Sequence, residues 1–140
     1  MKVQVIRSNR KTIGLEVRAD ESVILRAPAV DEILDVEWKS ILGEFTERVN
    51  HFCKIMEVTV GRITIRNQKT RWGSCSSKGN VNFNYQLYYM PRELMDYVII
   101  HELSHRRHMN HSAEFWQEVE KYCKTYRECR KKLRDYEIAP

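Results

Sequence analysis

The chain has 140 residues, of which 42% are hydrophobic and 31% charged. These values are typical of one soluble globular domain over residues 1–140. The net charge of +5 indicates a basic surface that could attract a nucleotide or a nucleic acid. No apolar run approaches the roughly 18 residues of a membrane span, and the start of the chain lacks the apolar core of a signal peptide. We therefore expect a cytoplasmic protein without membrane contact, whose cysteines are free thiols.

The first part of the chain predicts strands followed by a helix. Three short segments alternate in polarity and predict a β meander over residues 1–27: Val3–Arg7, Thr12–Arg18 and Ser22–Ala27. From residue 31 to residue 56 apolar side chains recur every three or four positions, which predicts a helix.

Residues 58–84 again indicate strands. Residues 58–66 alternate in polarity, and residues 71–84 follow the pattern of a strand, a tight turn and a second strand. Such a hairpin could bind an extended substrate by backbone pairing, and Gly73 would allow another chain to approach closely. The alternative is that Trp72 and Phe83 only pack the core over the next helix.

The motif H-E-x-x-H is formed by His101, Glu102 and His105 within a predicted helix over residues 91–109. Side chains four residues apart lie on the same helix face, so the two histidines can bind one ion. Zinc suits this arrangement, because it binds imidazole nitrogen at about 2.0–2.1 Å. Glu102 lies about 100° around the helix, where it can contact a water molecule without being a ligand.

The third metal ligand has two candidates. His108 shares the face of the two motif histidines on an unbroken helix, but three rings spread over roughly 10 Å of helix axis form a poor tetrahedron. His111 can reach the ion only if the helix ends first. Asn110 could end it in the left-handed conformation, and Ser112 could cap a following helix over residues 112–136. We therefore expect the ligands to be His101, His105 and His111.

The last predicted helix is strongly basic. Lys121–Arg134 contains seven basic residues and one acidic residue. Its apolar residues recur at helical spacing, which favours a solvated helix face. The alternative is contact with a phosphate backbone.

Two sequence stretches together resemble a known family. KTRWGSCSSKGNVNFN, from Lys69 to Asn84, and YVIIHELSHRRHMNHSAEFW, from Tyr97 to Trp116, resemble the YgjP-like zinc metallopeptidases, which are related to the SprT-like and minigluzincin peptidases. The resemblance implies an α+β, zincin-like fold with a small mixed β-sheet, an active-site helix carrying H-E-x-x-H and a C-terminal helix. It also implies a Zn²⁺ cofactor and places the third ligand at His111.

These features predict a hydrolase that cleaves peptide bonds in a peptide or protein substrate. Zinc would activate a water molecule, and Glu102 would act as general base. A donor to the oxyanion is also expected, and the sequence does not choose between Arg71, Tyr85, Tyr88 and Tyr89. One alternative is a nucleotide hydrolase that cleaves a triphosphate at the same site. Another is a DNA-associated, SprT-like protease or a nucleic-acid-binding module.

Overall fold

The computed structural model describes residues 3–8, 14–17, 23–28, 33–68 and 70–137. Within these residues it has seven strands and four helices, and a short 3₁₀ helix, Tyr85–Tyr89, precedes the second helix. The strands are β1 (Val3–Ser8), β2 (Gly14–Val17), β3 (Val23–Pro28), β4 (Ile63–Arg66), β5 (Gly73–Cys75), β6 (Val81–Asn84) and β7 (Tyr136–Glu137). The helices are α1 (Asp35–Met56), α2 (Arg92–Ser104), α3 (Ala113–Tyr122) and α4 (Tyr126–Arg134).

The predicted α+β class is confirmed, and the described strands form two sheets. One has the strand order β2-β3-β1-β7, and the other has the order β4-β6-β5. In the second sheet β4 pairs with β6 in parallel and β5 pairs with β6 antiparallel. This small mixed sheet contains the predicted hairpin, and it leaves β5 at the sheet edge beside α2.

The prediction of an N-terminal meander was wrong in its strand order. β1 pairs in parallel with β3 rather than antiparallel with β2, and its other neighbour is β7 from the far end of the chain. Only β2 and β3 form an antiparallel pair of sequence neighbours. Alternation identifies a strand but not its partner, because the two faces repeat every second residue in either direction. Residues 12, 13, 18 and 22 of the predicted strands lie outside the described residues.

The core lies between α1, α2 and the mixed sheet. The buried face of α1 follows the predicted helical spacing and consists of Ile41, Phe45, Val49, Phe52 and Met56. Phe45 stacks on Phe83 of β6 with ring centroids 5.7 Å apart. Arg48 of α1 donates two hydrogen bonds, of 3.0 and 2.8 Å, to the carboxylate of Asp96 on α2. These contacts fix α2 against α1.

The helix boundaries differ from those predicted. The helix expected over residues 31–56 begins at Asp35, the one expected over 91–109 ends at Ser104, and the one expected over 112–136 is divided into α3 and α4. Cys123 breaks the last of these with φ −138° and ψ 87°. The break turns α4 back onto α2, where Tyr126, Cys129 and Leu133 are buried. None of the described helices is long and apolar enough to cross a membrane.

We expect the substitution Phe45→Ala to lower the free energy of unfolding by about 3–5 kcal/mol, because it removes a buried ring and leaves a cavity. Denaturant unfolding of the purified protein measures this change. Val36→Ala is the matched control on the same helix, since Val36 is 70% exposed, and it should change stability by less than about 0.5 kcal/mol. Equal effects of the two substitutions would contradict the assignment of the core.

Candidate metal centre

Three histidine rings meet at the end of α2. His101 lies in the last turn of the helix and His105 directly follows it, with ring centroids 5.3 Å apart. His111 returns to them after the chain reverses, and its Nε2 lies 3.2 Å from Nε2 of His101. One ligand atom from each ring lies within 4.8 Å of the others. The three residues could therefore hold a metal ion together.

The chain reversal begins earlier than the sequence predicted. After Ser104, the N–H groups of Arg106 and Arg107 bond to carbonyl groups three residues back, which is the tightened geometry of many helix ends. The expected left-handed end at Asn110 was wrong, because Glu57 is the only described residue other than glycine with a positive φ. The expected cap of the following helix is confirmed, since the Ser112 hydroxyl accepts a bond from the N–H of Phe115.

Two arginines hold the reversed segment in place. Arg106 donates to the carbonyl of Thr59 at 2.8 Å and packs closely over Gly79, where a Cβ would lie 2.6 Å from the arginine Cζ. Arg107 donates to the carbonyl oxygens of Met56 and Glu57 at 3.1 Å. The segment is thereby tied to the β5–β6 hairpin and to the end of α1.

A backbone hydrogen bond orients His105. Its Nδ1 lies 3.0 Å from the carbonyl oxygen of His108. A carbonyl oxygen can only accept, so Nδ1 carries the proton and Nε2 keeps a free lone pair. His108 thus contributes its carbonyl, and its ring lies outside the histidine cluster.

The surroundings favour neutral imidazoles, the form that binds metals. Burial is the main cause that lowers the pKa of His101 to about 3, and the neighbouring His105 and His111 lower it further. Burial also lowers the pKa of His105.

Glu102 lies beside the cluster without belonging to it. It lines a cavity of about 290 Å³ together with the three histidines, Arg71 and β5. Its side chain is buried, and burial raises its pKa to about 8 against the opposing charge of Arg71. A Cβ at Gly73 would lie 3.1 Å from both Glu102 Cγ and Val98 Cγ1. Gly73 was expected to allow another chain to approach closely. In the structure, the group that packs closely against Gly73 belongs to α2 of the same chain.

Sequence reasoning missed the aromatic residues around the histidines. Phe115 stacks on His105 with ring centroids 4.5 Å apart, and Trp116 stacks on His111 at 6.0 Å. The hydroxyl of Tyr97 lies 3.4 Å from Nδ1 of His101. The spacing contained a signal for Tyr97, which precedes His101 by one helical turn. The positions of Phe115 and Trp116 beside the histidines depend on how α3 packs, and sequence spacing alone does not show that packing.

One of the four expected oxyanion donors lies at the cavity. Arg71 lines it beside Glu102, whereas the three tyrosines do not. Tyr85 is buried, and Tyr89 donates a 2.7 Å hydrogen bond to Glu37. Cys75 also lines the cavity, but burial raises the pKa of its thiol, which disfavours a nucleophilic thiolate.

Comparisons with known proteins point to metallopeptidases. A family model described as YgjP-like, metallopeptidase domain, matches residues 4–136. The crystal structure of the metallopeptidase zymogen abylysin of Pyrococcus abyssi is 26% identical and has a TM-score of 0.58, and the match covers 64% of this chain and 90% of that one. The zymogen jannalysin of Methanocaldococcus jannaschii is 25% identical with a TM-score of 0.57, covering 64% of this chain and 92% of that one. No curated protein sequence matches the chain.

We expect His111→Ala to weaken zinc binding by at least about 100-fold. Even a residue that only hydrogen-bonds to a metal ligand contributes about 10–100-fold to metal affinity. His108→Ala is the matched control. It keeps the backbone carbonyl that orients His105 and should leave the affinity nearly unchanged. Competition with a chromogenic chelator measures both affinities. The reverse order of the two effects would show that His108, and not His111, binds the ion.

Proposed function

The chain belongs to the YgjP-like metallopeptidase family, and from this premise we propose that it is a zinc-dependent peptidase with Glu102 as its general base. The metal ligands in this proposal are His101, His105 and His111. The observation that carries it is the convergence of three imidazoles beside a buried carboxylate in one open cavity. A closed structural zinc site would give that carboxylate no role.

The donor set fits zinc. Catalytic zinc sites use three protein ligands and keep a fourth position open, and the cavity of about 290 Å³ leaves room there. The hydrogen bond from His105 to the His108 carbonyl supports the proposal, because ligating histidines commonly donate their second N–H in this way. When bound, zinc acts as a Lewis acid and lowers the pKa of water towards 7.

In our proposal Glu102 moves the proton. It follows His101 on α2 and faces the same cavity, but its carboxylate is outside the group of ligand atoms. In our proposal it accepts a proton from the attacking water and passes it to the leaving amine. Arg71, on the same cavity wall, supplies the expected positive charge near the carbonyl oxygen of the substrate.

β5 is the proposed support for the substrate backbone. It lies at the edge of the mixed sheet, pairs with β6 on its inner side and lines the cavity with Gly73, Ser74 and Cys75. An extended peptide could pair with this edge by backbone hydrogen bonds. Its scissile bond would then lie over the histidine cluster.

We expect Glu102→Gln to lower the turnover of casein by about 10²–10⁴-fold, the usual contribution of a general acid or base. Zinc content should be retained, because Glu102 is not in the ligand cluster. Peptide release and elemental analysis measure the two properties on the same preparation.

The same assays with nucleoside triphosphates and with DNA distinguish the other functions. Triphosphate hydrolysis that depends on Glu102, in the absence of proteolysis, would replace the peptidase proposal with a nucleotide hydrolase. DNA binding that does not require zinc, without hydrolysis of any substrate, would favour a nucleic-acid-binding module.

We expect Gly73→Ala to lower peptidase turnover by about 10-fold or more while zinc content stays unchanged, since small displacements of catalytic groups are costly. The added methyl group would lie 3.1 Å from Glu102 Cγ and 3.2 Å from the Asn82 carbonyl oxygen, so the carboxylate must shift. Gly43→Ala is the control, because no neighbouring side chain lies within 4 Å of the position that its new methyl group would occupy. Full activity of the Gly73 variant would contradict the placement of Glu102.

A further inference from the structure

A second cavity, of about 600 Å³, lies between α3 and α4. Two aromatic residues, Trp116 and Tyr126, form part of its wall. Three arginines of α4 line it as well, and we call the cavity the arginine cleft after them: Arg127, Arg130 and Arg134. The proposed metal chemistry makes no use of this cleft.

The arginine cleft adjoins the candidate metal centre through Trp116. The Trp116 ring lies nearly parallel to the rings of His111 and Tyr126, with interplanar angles of 26° and 20°. Its centroid is also 5.6 Å from that of His101. The guanidinium Cζ of Arg130 lies 4.8 Å from the Trp116 ring centroid. A single indole therefore separates the positive charge of the cleft from two of the proposed metal ligands.

The charge of the cleft is largely uncompensated. The three arginines follow each other by three and four positions, so they share one face of α4. Among the described residues, no carboxylate forms an ion pair with any of them, whereas Lys132 on another face pairs with Glu93 at 2.9 Å. Arg127 is held by a hydrogen bond from its Nε to the Tyr126 hydroxyl at 3.1 Å. Glu120 is the acidic residue in the lining, which leaves an excess of positive charge.

We propose that the arginine cleft binds an acidic side chain of the peptide substrate, on the His111 side of the metal centre. This inference rests on the proposed peptidase function. The planar forks of Arg130 and Arg134 match a carboxylate in geometry and charge. Trp116 and Tyr126 also line the cleft and add apolar surface beside the arginines for the methylene groups of a glutamate. The substrate class is then a peptide or protein with Asp or Glu close to the cleaved bond.

A carboxylate suits the cleft better than a nucleic acid. Nucleic acids bind through several basic contacts along their backbone, whereas these three arginines all line one cavity. Glu120 in the lining would repel a polyanion more strongly than a single carboxylate. Trp116 of the cleft also stacks on His111, which is exposed, so a peptide that leaves the metal centre on this side could reach the cleft.

Pairs of quenched fluorescent peptides test this inference. The two peptides of a pair differ only in having Glu or Gln near the cleaved bond. The wild-type protein should show a higher kcat/KM for the Glu peptide, by about 5-fold for exposed charge pairs. Arg130→Gln should remove most of that preference. Lys131→Gln changes the net charge equally on the same helix, but Lys131 does not line the cleft, so the preference should remain. An equal loss in both variants, or no preference in the wild type, would overturn the proposal.

Binding measured without turnover separates this inference from the peptidase proposal. In the zinc-loaded Glu102→Gln variant, fluorescence anisotropy should show tighter binding of the Glu peptide, and adding Arg130→Gln should abolish the difference. Glu120→Gln should strengthen binding of the Glu peptide. Binding that depends on Arg130, without any cleavage by the wild type, would support the cleft and reject the peptidase. Cleavage without such binding would reject the cleft alone.

Displacement of the peptide by an oligonucleotide or a nucleoside triphosphate at lower concentration would show that the cleft recognises phosphate, and would overturn the proposal.

Discussion

The reversal of the chain between His105 and His111 is the constraint on which the candidate site depends. α2 and the residue that directly follows it provide two imidazoles, and the third comes close only because the backbone turns immediately after Ser104. Arg106 and Arg107 tie this segment to distant parts of the fold by hydrogen bonds to backbone carbonyl groups. The same turn positions the His108 carbonyl that orients the His105 ring. The position of the His111 ring and the tautomer of His105 therefore have one structural cause.

α2 belongs both to the core and to the candidate site, and nine of its 13 residues are buried. Its apolar residues contact α1, α3, α4 and the mixed sheet, and Glu102, Ser104 and His105 are buried among them. Buried polar groups are unfavourable unless they have partners. Ser104 donates to the Ile100 carbonyl and His105 to the His108 carbonyl, while Glu102 faces the cavity. The carboxylate of Glu102 is thus the buried polar group of α2 whose position the proposed chemistry would explain.

The sequence was informative wherever neighbours in sequence determine the structure. The family predicted from the two motif stretches is confirmed, and so are the α+β class, the β5–β6 hairpin and the Ser112 cap. The proximity of His101 and His105 follows from helix geometry alone. Three features could not be predicted in this way. The end of α2 depends on contacts between arginines and distant carbonyl groups. The neighbours of β1 depend on long-range strand pairing. The break at Cys123 depends on the packing of α4. Apolar spacing continues across that break, so periodicity alone does not reveal it.

The pairing of β1 with β7 joins segments separated by nearly the whole sequence. Val3 lies opposite Tyr136 in this parallel ladder, and β7 follows directly after α4. Closing so long a loop costs conformational entropy before contacts between the two strands can offset that cost. During synthesis on a ribosome, β7 would emerge after the hairpin and α2. We therefore expect the N-terminal sheet to acquire β7 late, after the elements that carry the histidine cluster have formed.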